Sequence, residues 1–267
     1  MSKPSDEELV LLADANLSEF HREHVRWLPP GSILEPTDLL LSAAGTRAPG
    51  PWNSALPLGP RAAVGAQVLE SAARFFEPLQ RAYLIFTRAH LDADLDRACE
   101  RAGLAYMGDN PGMALLQPVA AAALADGVTI ERVSSAAAAS SFADVMAEAY
   151  EELPLTPAVT RKLLSQPARW IQPHCEAFLL CERQQPLAGA LLLWSHGIAG
   201  VYWVGTLRAA RGRGYADAIT RFVSNRALEG GARAVVLQAS RAGEPIYRRM
   251  GYEEITRYRR YFVPKAE

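Results

Sequence analysis

Residues 206–217 of this 267-residue chain read TLRAARGRGYAD, and they form its most informative local pattern. An apolar run that predicts a strand precedes it, and an amphipathic helical pattern follows it. Its two glycines let the backbone approach a ligand closely, because no Cβ stands in the way. The unpaired N–H groups of a first helical turn, together with the positive end of the helix dipole, favour an anion. The sequence therefore predicts a phosphate-binding turn.

A second pattern lies downstream of this turn. Residues 237–240 (LQAS) end a predicted buried strand, and residues 246–252 (IYRRMGY) predict a short helix that stops at Gly251. The turn itself lacks the glycine spacing of a dinucleotide fingerprint and the Gly-Lys-Ser/Thr ending of a P-loop. Dinucleotide and nucleoside triphosphate binding are therefore poor interpretations.

Together, the two patterns resemble the GNAT superfamily of acyl-CoA-dependent N-acyltransferases over roughly residues 128–263. Arg211, Gly214 and Ala216 fit its Arg/Gln-x-x-Gly-x-Gly/Ala signature, and residues 247–252 fit its Tyr-x-x-x-Gly-aromatic ending. The resemblance implies a mixed α/β fold of GNAT type in the C-terminal half. It also implies an N-acetyltransferase that uses acetyl-CoA as co-substrate, needs no metal and transfers the acetyl group directly within a ternary complex.

The resemblance further implies roles for single residues. Backbone atoms of Val204, Gly205 and Thr206 would pair with the pantetheine arm and stabilise the oxyanion. Tyr247 would protonate the departing thiolate, which a phenol with a pKa of about 10 can do. Many family members have an asparagine where Ser240 stands. The other implied coenzyme contacts are Arg211, Gly212, Arg213, Gly214, Tyr215, Ala216 and Asp217.

The sequence departs from the family at the general base. Several members carry a glutamate on the strand before the phosphate turn, but residues 198–207 contain no carboxylate. Water could relay the proton of the attacking ammonium to Glu151, Glu152, Glu176 or His196. The sequence favours none of these four.

Two domains are predicted, residues 1–126 and residues 127–267, because the chain exceeds the usual size of one domain and an alanine-rich stretch separates two sets of elements. The order helix, strand, helix, glycine in the first half echoes the order after the phosphate turn, which is similar to tandem GNAT proteins. Cys99 stands where the second half has Tyr247. Pro60 removes an N–H donor that a phosphate site would need, so any N-terminal copy is expected to be degenerate. An unrelated helical cap is the alternative.

The spacing of apolar residues predicts the individual elements. Helices are expected at residues 6–28, 61–81, 90–102, 136–152, 157–170, 214–229 and 245–250. Strands or short apolar runs are expected at residues 38–43, 83–87, 104–107, 113–116, 128–133, 177–181, 187–194, 198–207, 232–239 and 255–263. Residues 45–60 predict a loop and residues 109–112 (DNPG) a hairpin turn.

Charge is distributed unevenly along the chain. The formal net charge is −1, but residues 1–127 carry −6 and residues 128–267 carry +5. This asymmetry suggests that the C-terminal half meets an anion. The arginine-rich tail predicts a solvated edge strand rather than a grip on a polyanion. Its basic residues are Arg257, Arg259, Arg260 and Lys265.

Composition indicates an ordinary globular protein, with 49% hydrophobic and 21% charged residues. The apolar runs are far shorter than the roughly 20 residues that cross a bilayer, so no membrane partner is expected. The acidic start lacks the layout of a secretion signal, which predicts a cytoplasmic protein. Cys99, Cys175 and Cys181 have neither disulfide nor metal-site spacing and are interpreted as packing residues.

The expected acceptor is a small-molecule amine or a peptide amine, and the sequence does not indicate the oligomeric state. A non-catalytic acyl-CoA binder or scaffold is the main rival, favoured by the missing strand carboxylate. An RNA-binding module around residues 211–213 is disfavoured, because no aromatic-rich stacking surface accompanies the arginines. No nucleic acid partner is therefore expected.

Overall fold

The computed structural model describes residues 3–45, 52–151 and 156–265. Within these residues the chain forms eight α-helices and one sheet of eleven strands. The helices are α1 (Asp6–Trp27), α2 (Gly65–Phe76), α3 (Ala93–Arg101), α4 (Ala136–Ala149), α5 (Pro157–Leu164), α6 (Pro167–Trp170), α7 (Tyr215–Glu229) and α8 (Glu244–Met250). The strands are β1 (Ser32–Leu34), β2 (Leu39–Ala43), β3 (Asn53–Pro57), β4 (Tyr83–Arg88), β5 (Ala105–Leu115), β6 (Val128–Arg132), β7 (Cys175–Glu182), β8 (Gln185–Ser195), β9 (Ile198–Thr206), β10 (Val235–Gln238) and β11 (Glu253–Val263).

The sheet runs through both halves of the chain in the order β1-β2-β3-β4-β11-β5-β10-β9-β8-β7-β6. The last strand, β11, lies between β4 and β5 of the first half, while β5 pairs on its other side with β10. The two halves therefore exchange strands in the middle of the sheet. The predicted mixed α/β fold is confirmed.

Helices cover both faces of the C-terminal part of the sheet. On one face, α7 buries Ile219, Val223 and Ala227 with apolar side chains of β8 and β9. On the other face, α4 buries Phe142 and Met146. The strands β7 to β9 form an antiparallel meander, and β6 pairs antiparallel with β7. This two-sided packing fixes the strand that leads into the phosphate turn.

The N-terminal helix α1 lies across the junction of the two halves. Ser5 caps its first turn by accepting a hydrogen bond from the Glu8 N–H at 3.2 Å, in agreement with the predicted start of this helix. Its buried Asn16 donates to the Leu193 carbonyl at 3.1 Å and accepts from the Tyr202 hydroxyl at 2.8 Å. Buried polar groups of α1 therefore tie the first half to the meander of the second half.

The predicted hairpin at residues 109–112 is wrong, because β5 runs without interruption through this segment. Pro111 lies at the end of β10, where its carbonyl accepts from the Ala239 N–H at 2.9 Å. The missing proline N–H is tolerated there because the ladder between β5 and β10 ends at the pair of Gly112 and Gln238, one residue before Pro111. Gly112 is required in the strand, since a Cβ would meet the Tyr258 ring at 2.7 Å.

The predicted edge position of the arginine-rich strand is also wrong, since β11 is an interior strand. Its Tyr258 and Tyr261 are buried, and two of its three arginines pair with carboxylates of the first half. Arg259 forms an ion pair with Asp96, and Arg257 pairs with Asp109 at 3.0 Å. These charges therefore complement the acidic half of the chain itself.

Three smaller differences concern element limits. Residues 53–57, predicted as part of a loop, form β3. The single helix predicted at residues 157–170 is two helices, because Pro167 starts a new one. The helix predicted at residues 61–81 is shorter, from Gly65 to Phe76. In the parts of the chain that are described, no helix is both long and apolar enough to span a bilayer.

Candidate active site

The site is built where two parallel strands separate. The ladder between β9 and β10 covers only two residue pairs, Ala199 with Val235 and Gly200 with Val236. Beyond these pairs β9 continues to Thr206 without β10 as a partner. A cleft therefore opens between the carboxyl ends of the two strands, the usual place for ligands in such sheets.

A β-bulge shapes the β9 side of this cleft. The register between β8 and β9 shifts between Gly189 and Leu191, so that Trp203 and Val204 lie opposite a single residue. Trp203 has φ +50°, a left-handed conformation that is rare for an aromatic residue. The bulge turns the Val204 backbone away from the regular hydrogen-bond ladder with β8. The Val204 carbonyl accepts a hydrogen bond from the Tyr150 hydroxyl at 2.9 Å.

Gly205 and Thr206 complete the end of β9. A Cβ on Gly205 would meet the Ala149 Cβ at 2.8 Å, so this glycine is required for the close packing of α4. The Thr206 Oγ1 is buried without a hydrogen-bond partner, and so is the Nε2 of Gln238 at the end of β10. Buried polar atoms without partners are uncommon in proteins. Thr206 ends β9 and Gln238 ends β10, the two strands between which the cleft opens.

The predicted phosphate turn is open. Gly212 and Gly214 have φ +77° and +80°, and nothing lies within 4 Å of the position that a Cβ would take on either residue. Gly214 is the N-cap of α7 and offers no side chain to cap the helix. The first main-chain bond of this helix runs from the Ala218 N–H to the Gly214 carbonyl at 2.9 Å.

The N–H groups before Ala218 are therefore available to a ligand. Among the described residues, no hydrogen bond is seen from the main-chain nitrogens of Gly212, Arg213, Gly214, Tyr215, Ala216 or Asp217. They lie at the positive end of a 15-residue helix. The turn thus presents the main-chain donors and the dipole that a diphosphate requires.

Charged side chains surround the turn. Arg213 forms an ion pair with Glu182 and lies over the Tyr215 ring at 4.8 Å. This pairing and a hydrogen bond from Tyr215 lower the pKa of the Glu182 carboxyl, which stays ionised. Asp217 pairs with Arg221 at 2.7 Å.

Arg211 and Arg208 hold the turn against α4 and the segment after it. Arg211 donates to the Ala149 carbonyl at 3.2 Å. Arg208 donates through its main chain to Glu148 at 3.1 Å and through its side chain to Glu151 at 3.0 Å. The turn is thereby fixed on the side away from its open glycines.

Tyr247 lies partly buried on α8, with its ring over Gly243. A Cβ on Gly243 would meet the Tyr247 Cε2 at 2.8 Å, and the ring of Tyr252 lies 5.9 Å away. Burial raises the pKa of Tyr247 to about 12. The phenol is close enough to Tyr150 to raise the pKa of that group in turn, after the larger effect of burial. Tyr150 in turn contacts Val204 of the bulge.

Ser240 begins the turn that leads into α8. Its Oγ accepts from the Gly243 N–H at 3.1 Å, and its carbonyl accepts from the same N–H at 3.0 Å. The side chain therefore stabilises the turn on which Tyr247 is carried.

The four groups considered as general base lie in different places. Glu176 and His196 are at the far ends of β7 and β9 from the turn, and Glu176 is paired with Arg226 at 2.9 Å. Glu151 lies beside the turn, paired with Arg208, and Glu152 lies outside the described residues. Of the three candidates that the structure describes, Glu151 alone lies near the predicted phosphate site.

Sequence reasoning missed three side chains that contact the bulge. Trp203 donates its indole N–H to the His24 Nε2 at 3.3 Å, and Tyr150 and Trp52 pack against its ring. Burial lowers the pKa of His24 well below its usual value, so the imidazole is neutral. Nothing in the local pattern of α1 marks this histidine, because its partner is 179 residues away.

In residues 3–45, 52–151 and 156–265, no group of three or more His, Cys, Asp or Glu side chains is placed so that it could hold a metal ion.

Comparison with known proteins agrees with the motifs. The model of the acetyltransferase (GNAT) domain family matches residues 195–255, which include the cleft, the turn and α8. Among curated proteins, no sequence matches the chain at a significant level.

Solved structures match nearly the whole chain. A GCN5-related N-acetyltransferase from Kribbella flavida has a TM-score of 0.74 at 20% identity, covering 95% of this chain and 96% of that one. A second one, from Sphaerobacter thermophilus, has a TM-score of 0.66 at 19% identity, covering 99% and 96%. A tandem GNAT protein from the clavulanic acid biosynthesis pathway has a TM-score of 0.60 at 12% identity, covering 90% and 85%.

The resemblance predicted from the sequence is therefore confirmed: residues 195–255 match the GNAT acetyltransferase domain, and the fold of the chain is that of the solved GNAT structures.

Proposed function

We propose that the chain is an N-acetyltransferase that moves the acetyl group of acetyl-CoA to a primary amine of a small molecule or peptide. The observation that carries this proposal is the open turn at Gly212 and Gly214, where α7 begins beside the cleft. Main-chain N–H groups and the helix dipole would bind the diphosphate there. Arg211 and Arg213 would add positive charge at the rim.

The pantetheine arm would lie in the cleft between β9 and β10. Backbone atoms of Val204, Gly205 and Thr206 would pair with its amides as a further strand does. The unpartnered Thr206 Oγ1, at the end of β9, supports this placement, because an amide chain beside the strand would supply the partner that it lacks.

Acetyl-CoA supplies a thioester, whose carbonyl carbon an amine can attack directly. A bond forms between the amine nitrogen and this carbon, and the amine loses a proton to water. A main-chain N–H of residues 204–206 stabilises the oxyanion. Tyr247 then gives its proton to the sulfur as the carbon–sulfur bond breaks.

Burial keeps the phenol of Tyr247 protonated at neutral pH, with a pKa of about 12. The same burial makes it a weaker acid than a free tyrosine, so we propose that its proton moves only as negative charge develops on the sulfur. Direct attack in a ternary complex is favoured over an acyl-enzyme, because the cysteines are buried and burial raises the pKa of Cys99 to about 12. A thiol with such a pKa is a poor nucleophile.

We also propose that residues 1–126 are a degenerate GNAT copy and residues 127–267 the catalytic domain. The first half repeats the order strand, helix, parallel strand, helix that surrounds the turn in the second half. Its α1 contacts the bulge through His24, which supports a role in walling the acceptor side of the cleft. Three buried thiols suit the reducing cytoplasm, where we place the protein.

A non-catalytic acyl-CoA binder is the second candidate, favoured by the absence of a carboxylate on β9. Thiol release from acetyl-CoA in the presence of a panel of amines separates the two. Turnover that falls about 100-fold or more in Tyr247→Phe, with an unchanged KM for acetyl-CoA, supports the enzyme. Tyr106→Phe is the matched control, because this tyrosine is exposed on β5. Binding of acetyl-CoA without turnover of any amine would support the binder.

A further inference from the structure

Trp203 has a strained backbone directly before Val204, whose main chain is assigned to the pantetheine arm under the proposed function. Its φ of +50° lies in the left-handed region, which crowds the side chain of any residue other than glycine. Such a conformation persists only where neighbouring contacts hold it, and it is typical of functional sites. The contacts that hold Trp203 therefore also fix the main chain of Val204.

Aromatic side chains from both halves of the chain hold the Trp203 indole. The Tyr150 ring meets it edge-on with centroids 5.2 Å apart, and the Trp52 ring stacks on it at 5.9 Å. His24 accepts a hydrogen bond from the indole Nε1–H at its own Nε2, 3.3 Å away. This bond is directional, whereas ring packing is not, so His24 of the first half fixes the rotation of the indole.

The protonation of His24 follows from this bond. An indole N–H can only donate, so the His24 Nε2 carries the lone pair that accepts. Burial lowers the pKa of His24 well below its usual value, so the imidazole is neutral and its proton lies on Nδ1. This Nδ1 is buried and has no hydrogen-bond partner among the described residues. The imidazole thus presents an acceptor to Trp203 although its own buried donor stays unpaired, an arrangement that calls for an explanation.

The other buried histidine of α1 has no such arrangement. The His21 side chain is as deeply buried as that of His24, with 5% and 4% of the two residues exposed. The His21 Nδ1 forms a hydrogen bond with the Ser54 hydroxyl at 2.8 Å, and its ring packs beside Phe86 at 4.9 Å. Ser54 and Phe86 both belong to the first half. His21 therefore serves the packing of the first half, whereas His24 reaches the bulge of the second half.

We propose, on the basis of the proposed function, that His24 is a positioning residue for acetyl transfer. Through the Trp203 indole it holds the bulge in the form in which the main chain of residues 204–206 meets the thioester. The first half then does more than cover the cleft, because it sets the geometry of the N–H groups that stabilise the oxyanion. A displacement of about 1 Å at such groups is enough to lower the rate about 100-fold.

Two substitutions of His24 separate the hydrogen bond from packing. His24→Met fills the space without an acceptor, and His24→Gln places an amide oxygen near the position of Nε2. We expect kcat to fall about tenfold or more in His24→Met, with an unchanged KM for acetyl-CoA, because the turn at Gly212 and Gly214 is not altered. Most of this loss should be recovered in His24→Gln. His21→Met is the matched control, and its kcat should stay unchanged.

Trp203→Phe tests the same bond from the donor side, because it removes the indole N–H and keeps an aromatic ring. It should lower kcat as His24→Met does, and the double variant should lose no more than either single variant, since both remove one interaction. Should one of the single variants fail to fold, the other still decides. An unchanged kcat in either folded variant, or an equal loss of kcat in His21→Met, would overturn the positioning role.

Hydrogen exchange of the main-chain amides gives a readout that needs no turnover. Exchange at residues 203–205 should be faster in His24→Met than in the unsubstituted chain, and unchanged in His24→Gln and His21→Met. Unchanged exchange in His24→Met would overturn the role of His24 and leave the proposed function standing. Failure of the unsubstituted chain to acetylate any amine would overturn the proposed function, and exchange would still decide whether His24 holds the bulge.

Discussion

The turn after β3 and the turn after β9 occupy equivalent places, yet the helices that follow them begin in opposite chemical surroundings. Each turn connects a strand to a helix that leads back to a parallel neighbour, β4 or β10. At the start of α2, the Ala63 N–H donates to Asp92 at 3.1 Å and the Gly65 N–H to Asp94 at 2.9 Å. Carboxylates of the chain itself therefore occupy the anion position in the first half.

Arg88 closes the same turn from the other side. It donates to the Gly59 carbonyl at 2.6 Å and to the Arg61 carbonyl at 3.0 Å, and binds both oxygens of Asp92. A Cβ on Gly65 would meet the Ala98 Cβ at 2.5 Å, whereas nothing lies near the corresponding position on Gly212 or Gly214. Two similar turns thus differ in whether space and donors remain for a ligand.

The same arrangement of strand, turn and helix is therefore not sufficient for ligand binding, because the turn must also leave its N–H groups and its space unoccupied. A helix N-terminus attracts an anion in either half, but in the first half an internal carboxylate satisfies it. The same contrast appears at the next helix. Cys99 on α3 is fully buried in the core, whereas Tyr247 on α8 lies partly buried beside the cleft.

The largest expected effect comes from breaking the closed turn. Asp92→Asn leaves the guanidinium of Arg88 buried without its main counter-charge, so we expect a loss of about 3–5 kcal/mol in the free energy of unfolding. Urea denaturation measures this loss. Asp144→Asn, at an exposed ion pair with Arg161, is the control and should cost less than about 1 kcal/mol.

The folded fraction of Asp92→Asn should bind CoA with unchanged affinity, because Asp92 lies in the turn of the first half and not in the turn at Gly212 and Gly214. A weaker affinity for CoA at full folding would contradict the separation of the two turns.

The next largest effect comes from filling the open turn. Gly214→Glu places a side chain and a negative charge where we propose that the diphosphate binds, so we expect the Kd for CoA to rise about 100-fold, or about 2.7 kcal/mol. Gly103→Glu is the matched control, since Gly103 also has a positive φ, +67°, with open space around it. Both variants should lose a similar amount of stability, about 1–2 kcal/mol, from the strained backbone.

Calorimetry with CoA and thermal unfolding separate these two effects. Equal loss of CoA affinity in both glycine variants would show that general destabilisation, and not the turn, is responsible.

The smallest expected effect is on the pH dependence of stability, and it comes from two buried histidines of α1, the helix that contacts both halves of the chain. Burial lowers the pKa of His21 to about 3 and that of His24 well below 6.5. Between pH 6.5 and 3 the unfolded chain binds a proton that the folded His21 does not, so stability falls as the pH falls. Each histidine should contribute about 1.4 kcal/mol per pH unit well below pH 6.5.

His21→Gln should reduce the slope of the unfolding free energy against pH by about 1.4 kcal/mol per pH unit, which corresponds to one proton, between pH 5.5 and 4.5. Urea unfolding at several pH values measures this slope. His196→Gln, in the exposed turn between β8 and β9, provides the control. An unchanged slope in His21→Gln would contradict the buried neutral state of His21.

Much of the second half could be predicted from the sequence, because its elements follow local patterns. The meander, the turn at Gly212 and Gly214, and the amphipathic α7 are each encoded within a few neighbouring residues. The helix α8 with Gly251 was likewise predicted within one residue of its limits. Periodicity and glycine placement are sufficient there, because the packing partners lie next to one another in the chain.

The middle of the sheet could not be predicted, because its pairings join distant segments. Local turn chemistry at residues 109–112 suggested a hairpin, yet β5 is held straight by β10 and β11, more than 120 residues away. The arginines of β11 looked solvated, but their counter-charges come from the first half. The side chains of His24 and Gln238 escaped notice for the same reason.

Hydrogen exchange of the main-chain amides, measured with and without CoA, tests the contrast between the two turns most directly. CoA should slow exchange at residues 212–217, whose N–H groups lack partners, and leave residues 63–65 unchanged, because Asp92 and Asp94 already bind Ala63 and Gly65. Slower exchange at residues 63–65, or no change at residues 212–217, would contradict the account.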